Sequence, residues 1–403
     1  MPEPFTVAYL DHTAKLSGGE IALLRLLESL DPARVTPLVV LAEDGPLRER
    51  LEAVGIECQV ALLGEKVKDV RKEALGAGIL AKLGLVAEFL GYSVRLAKLL
   101  RARRVQVVHT NSLKADIYGG LAASLARIPL VWHVRDHIDP GYLPGPVVKV
   151  FRALARRWPR YVVAISQSTL DRLFPAPGPS VPTARRGIVH DGLAASELGD
   201  SPESVERKPW SSPVRVGIVG RLTPWKGQHI FLEAARQTLA SGADVEFFLA
   251  GSAMFGEDDY EAALKKQVAD AGVGEKVKFL GFVDDVPGLL DTLDILVHAS
   301  TTPEPFGQVV IEGMAEGLPV IATDGGGVKE IVVDGESGLL VPMGDAAALA
   351  AALQALLADP EAARKLGRAG YLRVRRHFTA AQTARKIERV YADILGIAYE
   401  PAP

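Results

Sequence analysis

The chain has 403 residues, long for one hydrophobic core and comfortable for two. Hydrophobic residues at 48% and charged residues at 24% exclude a disordered chain, and a formal net charge of −3 argues against a nucleic-acid partner. The total hides an asymmetry, because residues 1–200 carry 26 Lys and Arg against 21 Asp and Glu, and the remainder 20 against 28.

Residues 1–13 have no basic segment, and Asp11 cuts their apolar run short, so a signal peptide is not expected. The one cysteine, Cys58, makes neither an internal disulfide nor a cysteine-rich metal site. It gives no reason to look outside the cytoplasm, so the expected location is cytoplasmic, with the inner face of the membrane as an alternative. No stretch reaches the roughly 18 uninterrupted apolar residues of a membrane span; the longest candidate, 76–100, is broken by Lys82, Glu88 and Arg95.

Short apolar runs at 5–10, 36–41, 58–62, 105–109, 130–134 and 161–165 read as strands buried on both faces. Helical patterns such as 20–30 and 115–126 lie between them. That alternation predicts a doubly wound domain over residues 1–195. Residues 196–213, with Pro202, Pro209 and Pro213, read as a linker. The alternation resumes at 214–219, 245–250, 277–280, 295–298, 320–322 and 339–341, so a second α/β domain is expected over 214–379, without a sequence repeat of the first. A last helix, within 380–403, is expected to pack back on the first domain.

Several segments carry chemistry. Ser17-Gly18-Gly19-Glu20 joins a strand to a helix. It reads equally as a plain helix start capped by Ser17 or as a glycine pair that lets a ligand approach the backbone. His109-Thr110-Asn111-Ser112 and His133-Val134-Arg135-Asp136 stand at strand ends, where a lone histidine is by itself more often structural. The basic stretches 62–100 and 147–160 suit either solvated helix faces, the commoner case, or peripheral contact with an anionic membrane through the N-terminal domain.

The richest segment runs from Gly217 to Gly227, a strand ending at Gly220 before a helix near Gly227. Free N–H groups and the helix dipole make such a turn an anion site, and Arg221 and Lys226 add cations for phosphate oxygens. Downstream, Glu304 lies in a loop and Glu312 on an apolar helical stretch eight residues on, where an acid is costly unless paired. Carboxylates accept hydrogen bonds from sugar and ribose hydroxyls. No Asp-x-Asp, Gly-x-Ser-x-Gly or Walker motif occurs; Asp258-Asp259 and Asp284-Asp285 read as solvated pairs.

Gly220-Arg221 with Lys226, Glu304 with Glu312, the intervening Pro305-Phe306-Gly307 and the later 317–323 together resemble the retaining family-4 glycosyltransferases. The resemblance covers nearly the whole chain. It implies the GT-B fold, an α/β pair of Rossmann-like doubly wound domains facing each other across a cleft. It also implies a nucleoside-diphosphate sugar donor (UDP or GDP), a hydroxyl acceptor, no cofactor and no catalytic metal. By carry-over, Arg221 and Lys226 hold the donor diphosphate, Glu304 contacts the sugar and Glu312 the ribose. Gly18, Gly19, Gly220, Val283, Phe306, Gly307 and Gln308 complete the donor side. His133 faces the donor sugar, so the catalytic set is His133, Glu304, Arg221 and Lys226. Asn111, Arg135 and Asp136 are candidates for the acceptor side. Where relatives often carry Asn-Gly, this chain has His190-Asp191-Gly192, which weakens any role for His190. Two rival readings remain: a sugar-nucleotide epimerase on the same fold, and a two-domain protein that binds a sugar nucleotide without turnover.

Overall fold

All the apolar runs read as strands form strands, and all of these lie in parallel sheets. The computed structural model describes residues 4–64, 79–176, 178, 181–198, 210, 212–254 and 256–399, with the side chains of 79–85 excepted. The chain divides into two compact units, Met1–Ala194 with Ala380–Pro403, and Ala195–Thr379. Most of the expected linker, and Lys66, Lys68, Arg71, Lys72 and the side chain of Lys82 in the first basic stretch, lie outside the described residues.

The first unit holds β1 (Phe5–Asp11), β2 (Val35–Leu41), β3 (Glu57–Val60), β4 (Val107–Thr110), β5 (Leu130–Val134), β6 (Tyr161–Ala164) and β7 (Arg186–Ile188), in the spatial order 3-2-1-4-5-6-7. Only β7, three residues with no apolar run, escapes the sequence pattern. Alternation along β1 sends side chains to opposite faces. Phe5, Val7 and Tyr9 join Leu23, Leu26 and the C-terminal helix, whereas Ala8 and Leu10 join Tyr118, Trp132 and Leu96. The C-terminal helix, Ala380–Leu395, buries Thr383, Ala384, Ile387, Val390 and Tyr391, the spacing of one helical face.

The second unit repeats the order of the first six strands without repeating the sequence. β8 (Val214–Val219), β9 (Val245–Ala250), β10 (Val277–Gly281), β11 (Ile295–His298), β12 (Val320–Thr323) and β13 (Leu339–Val341) pair in the order β10-β9-β8-β11-β12-β13. In each unit the order reverses beside the first strand. Open α/β sheets bind ligands there, outside the carboxyl ends of the strands.

Candidate functional site

The second unit builds its site where β8 and β11 end side by side. After β8, Gly220 leads through Arg221 into a short 3-10 turn, Pro224–Lys226, and Gly227 then caps the helix Gln228–Ala240. Gly227 has φ +72, and a Cβ there would lie 1.9 Å from the carbonyl oxygen of Ala299. The loop after β11 therefore presses directly on this turn, and Thr301 donates its backbone N–H to Trp225 O at 2.8 Å. Gly251, at the end of β9, is equally tight against Gly220 O.

Three groups converge on one carboxylate oxygen. Glu304 Oε1 accepts from Lys226 Nζ at 2.7 Å, from His298 Nε2 at 2.9 Å and from the Ser300 hydroxyl. Thr323 N donates to His298 Nδ1 at 3.4 Å, so Nδ1 carries the lone pair and Nε2 the hydrogen that points at Glu304. Glu304 is 6% exposed. Burial pushes its carboxyl up, but Lys226 and His298 together outweigh burial and hold it well below the usual carboxylate range. The loop is fixed by Gly327 N, which donates to Glu304 O at 2.9 Å. Lys226 Nζ also sits 4.6 Å over the Trp225 ring, and the Arg221 guanidinium 6.0 Å from it.

The remaining residues expected on the donor side are placed as follows. Phe306 is buried, its ring 6.0 Å from that of Phe378, so it offers backbone rather than side chain. Gly307 caps the helix Gln308–Ala315, whose first residue is Gln308. Glu312 is half-buried on that helix while its neighbours Ile311 and Gly313 are buried, so it is not a core acid. Val283 follows β10 and is half-buried. Asp285 caps the helix Val286–Asp291 by accepting from Gly288 N, so of its pair it is a structural acid. Among the described residues no cluster of His, Cys, Asp and Glu is placed to hold a metal ion.

The first unit gathers a second polar cluster at the carboxyl ends of β1, β4 and β5. Asn111 donates to Asp11 Oδ2 at 2.7 Å and accepts from Arg135 Nε at 2.8 Å. Arg135 Nη1 lies 2.7 Å from both oxygens of Asp191, and Nη2 is buried with no partner among the described residues. Burial pushes Asp11 up, but the bonds from His12, Asn111 and Ser112 outweigh it and lower its pKa. Asp136 is half-buried beside this cluster. Gly18 and Gly19 open the helix Gly18–Glu28 with Ser17 at its cap position. The Ser17 hydroxyl bonds the Glu20 carboxylate and caps no backbone N–H. His133 is fully buried, with Nδ1 3.1 Å from His109 Nε2 and Nε2 without a partner among the described residues.

His298, Ser300, Asp11 and Asp191 escaped the sequence reading. His298 and Ser300 stand six and four residues before Glu304, at a strand's end, and that proximity was a usable signal. Asp191 pairs with Arg135 across 56 positions, which no local pattern reveals. In the second basic stretch, Arg152 donates to Ile138 O and Arg172 O, a structural use of its charge. No helix among the described residues is long and apolar enough to cross a membrane.

The fold is a pair of Rossmann-like units, one of which carries two cations and a buried carboxylate at its switch point. Residues 202–373 match the family described as glycosyl transferases group 1, and residues 16–188 match glycosyltransferase family 4. The chain belongs to this family of GT-B glycosyltransferases. A lipopolysaccharide core biosynthesis mannosyltransferase of Rhizobium meliloti is 32% identical over 182 residues, 45% of this chain and 52% of that protein. A phosphatidyl-myo-inositol mannosyltransferase of Mycobacterium leprae is 31% identical over 254 residues, 61% of this chain and 63% of that one. The chain spans about half the length of the first curated relatives it matches. Among solved structures, HepE of Anabaena in complex with UDP and glucose has a TM-score of 0.79 at 28% identity, over 96% of this chain and 99% of that one.

Proposed function

We propose that the protein is a retaining, metal-independent glycosyltransferase that moves a sugar from UDP- or GDP-sugar to a hydroxyl acceptor, in the synthesis of a cell-envelope glycan, a glycolipid or a secondary metabolite. The observation that carries this is the Lys226–Glu304 pair at the switch point of the second sheet, with Arg221 beside it. The UDP and glucose bound by HepE favour uridine as the base.

The chemistry follows from the groups. As the diphosphate leaves, the anomeric carbon gains oxocarbenium character and charge grows on the phosphate. Arg221, Lys226 and the start of the helix Gln228–Ala240 stabilise that charge, which a metal does in other transferases. Lys226 has three N–H donors, so the one spent on Glu304 leaves two for phosphate oxygens. Glu304, held ionised, accepts from a sugar hydroxyl through its second oxygen, and Glu312 accepts from the ribose. Retention follows if the leaving phosphate takes the acceptor's proton on the same face. His133 orients the sugar, and Asn111, Arg135 and Asp136 serve the acceptor. The location proposed is cytoplasmic, where nucleotide sugars are at hand.

Isothermal titration with UDP and with GDP tests this reading. Binding of one of them, weakened in Arg221→Ala, is the expected outcome. No binding of either at millimolar concentration contradicts it.

A further inference from the structure

The carboxyl ends of the first unit's strands carry the cluster of Asp11, Asn111 and Arg135. The opposite edge of the same sheet, where β5 and β6 begin, carries a cavity of about 380 Å³. Three local contacts assemble it. Arg160 N donates to Leu130 O at 2.7 Å and seats the start of β6 against that of β5. Arg185 ends the 3-10 turn Thr183–Arg185, and its Nη2 donates to Pro159 O at 2.5 Å, which draws the approach to β7 up beside them. Trp158 lies over Gly120 of the helix Leu113–Ala126, where a Cβ would come within 2.5 Å of the indole ring. Trp158, Ile128 and Pro129 give the cavity apolar walls, and Arg157, Arg160 and Arg185 line it with three cations.

No carboxylate lines this cavity. Elsewhere in the unit arginines meet acids: Arg34 with Asp31, Arg48 with Glu52, Arg103 with Glu57, Arg135 with Asp191 and Arg172 with Asp139. Arg157, Arg160 and Arg185 have no such partner among the described residues. Like charges gathered without a counter-charge repel one another. In addition, Nε of Arg185 is buried with no acceptor among the described residues, and a buried donor left unpaired is costly. Both features call for an anion. A phosphate monoester answers them best, because it brings nearly two negative charges at neutral pH and three oxygens for three planar guanidinium forks. The volume lies within the roughly 300–1,000 Å³ of small-molecule sites, more than a bare phosphate fills, and the walls suit an apolar or planar organic part.

We propose that this cavity binds a small phosphomonoester, with its phosphate oxygens shared among Arg157, Arg160 and Arg185 and its organic part against Trp158, Ile128 and Pro129. The site does not depend on the glycosyltransferase reading, since it lies at the opposite edge of its own sheet from Asn111 and Arg135.

Isothermal titration of the full-length protein with phenyl phosphate, and separately with inorganic phosphate, tests the proposal. Arg157 and Arg160 are exposed, so their replacement leaves the fold intact. Phenyl phosphate should bind wild type at one site and about tenfold tighter than inorganic phosphate does, the difference being the apolar walls. Arg157→Gln and Arg160→Gln should each weaken it about tenfold, the scale of one charge-assisted hydrogen bond. Arg221→Ala, in the second unit, should leave that affinity unchanged. No binding of phenyl phosphate at millimolar concentration overturns the proposal and leaves the three arginines as partners of the nearby helix C-termini. Equal affinity for the two probes, binding indifferent to Arg157→Gln and Arg160→Gln, or binding lost in Arg221→Ala overturns it as well. A lipid headgroup offers the same phosphate chemistry. Vesicles of anionic phospholipid that hold wild type and release both arginine variants, with no binding of phenyl phosphate, would assign the cluster to a membrane surface instead.

Discussion

Glu304 is the residue whose neighbours say most about it. Its oxygen receives an ammonium, an imidazole N–H and a hydroxyl, and each of these is out of place without it. Glu304→Gln keeps the shape and removes the charge, leaving Lys226, 20% exposed, without its counter-ion. We expect a loss of about 2–3 kcal/mol in urea unfolding at pH 7, where removal of a partner from a buried pair sets the scale. Because the folded pKa of Glu304 is depressed below 4.5, its contribution is present above that pH and fades as pH falls through the folded value. Wild type and Glu304→Gln should therefore converge in stability in acid. A gap that stays constant below pH 4.5 would show that charge is not what binds the cluster.

His109 gives the opposite group type with a related sign. Its pKa falls from 6.5 to about 3 on folding, so below pH 6.5 the unfolded chain takes up a proton that the folded one does not. Stability from the neutral ring is thus full above 6.5 and declines as pH falls toward 3. Between pH 6 and pH 5 the stability advantage of wild type over His109→Asn should shrink by about 1.2 kcal/mol. An advantage independent of pH would place the ring in a wetter setting than the structure shows.

At the scale of elements, although the edge strands β3 and β10 are largely half-buried or exposed rather than covered on both faces, the strands were legible because most are apolar runs buried on both faces. β7 was not, because Arg186-Gly187-Ile188 draws its place from the neighbouring strand rather than from its own composition. The site residues were legible one at a time, through the glycine turn and the spaced carboxylates. Their pairings were not: Lys226 with Glu304 and Arg135 with Asp191 join positions 78 and 56 apart. His133, expected by resemblance to face a donor sugar, lies buried against His109, which in turn meets the Tyr391 hydroxyl, because strand period rather than motif decides which face it takes. The turn at Gly227 carries its own prediction. With φ +72 and Ala299 O where a Cβ would go, Gly227→Ala forces both a strained backbone and a shift of the β11 loop. A loss of about 2–4 kcal/mol in unfolding free energy is expected, together with weaker UDP binding. Wild-type stability in this variant would mean that the two loops are not in contact.

For the whole molecule, one strand order serves twice on unrelated sequences, and each unit gathers its polar groups at the carboxyl ends of its central strands. The proposed nucleotide site lies in the second unit. Arg221→Ala and Glu312→Ala should each weaken nucleotide binding by about 1.5–3 kcal/mol, roughly 10- to 150-fold. His133→Ala should act on turnover and leave nucleotide affinity nearly unchanged. A loss of UDP binding in His133→Ala would contradict that division.

The measurement that tests the central claim most directly is release of nucleoside diphosphate from a panel of UDP- and GDP-sugars in the presence of EDTA. Release from at least one of them, unaffected by the chelator and lost in Arg221→Ala, is the expected result. No release from any, or release that requires added magnesium or manganese, would contradict it.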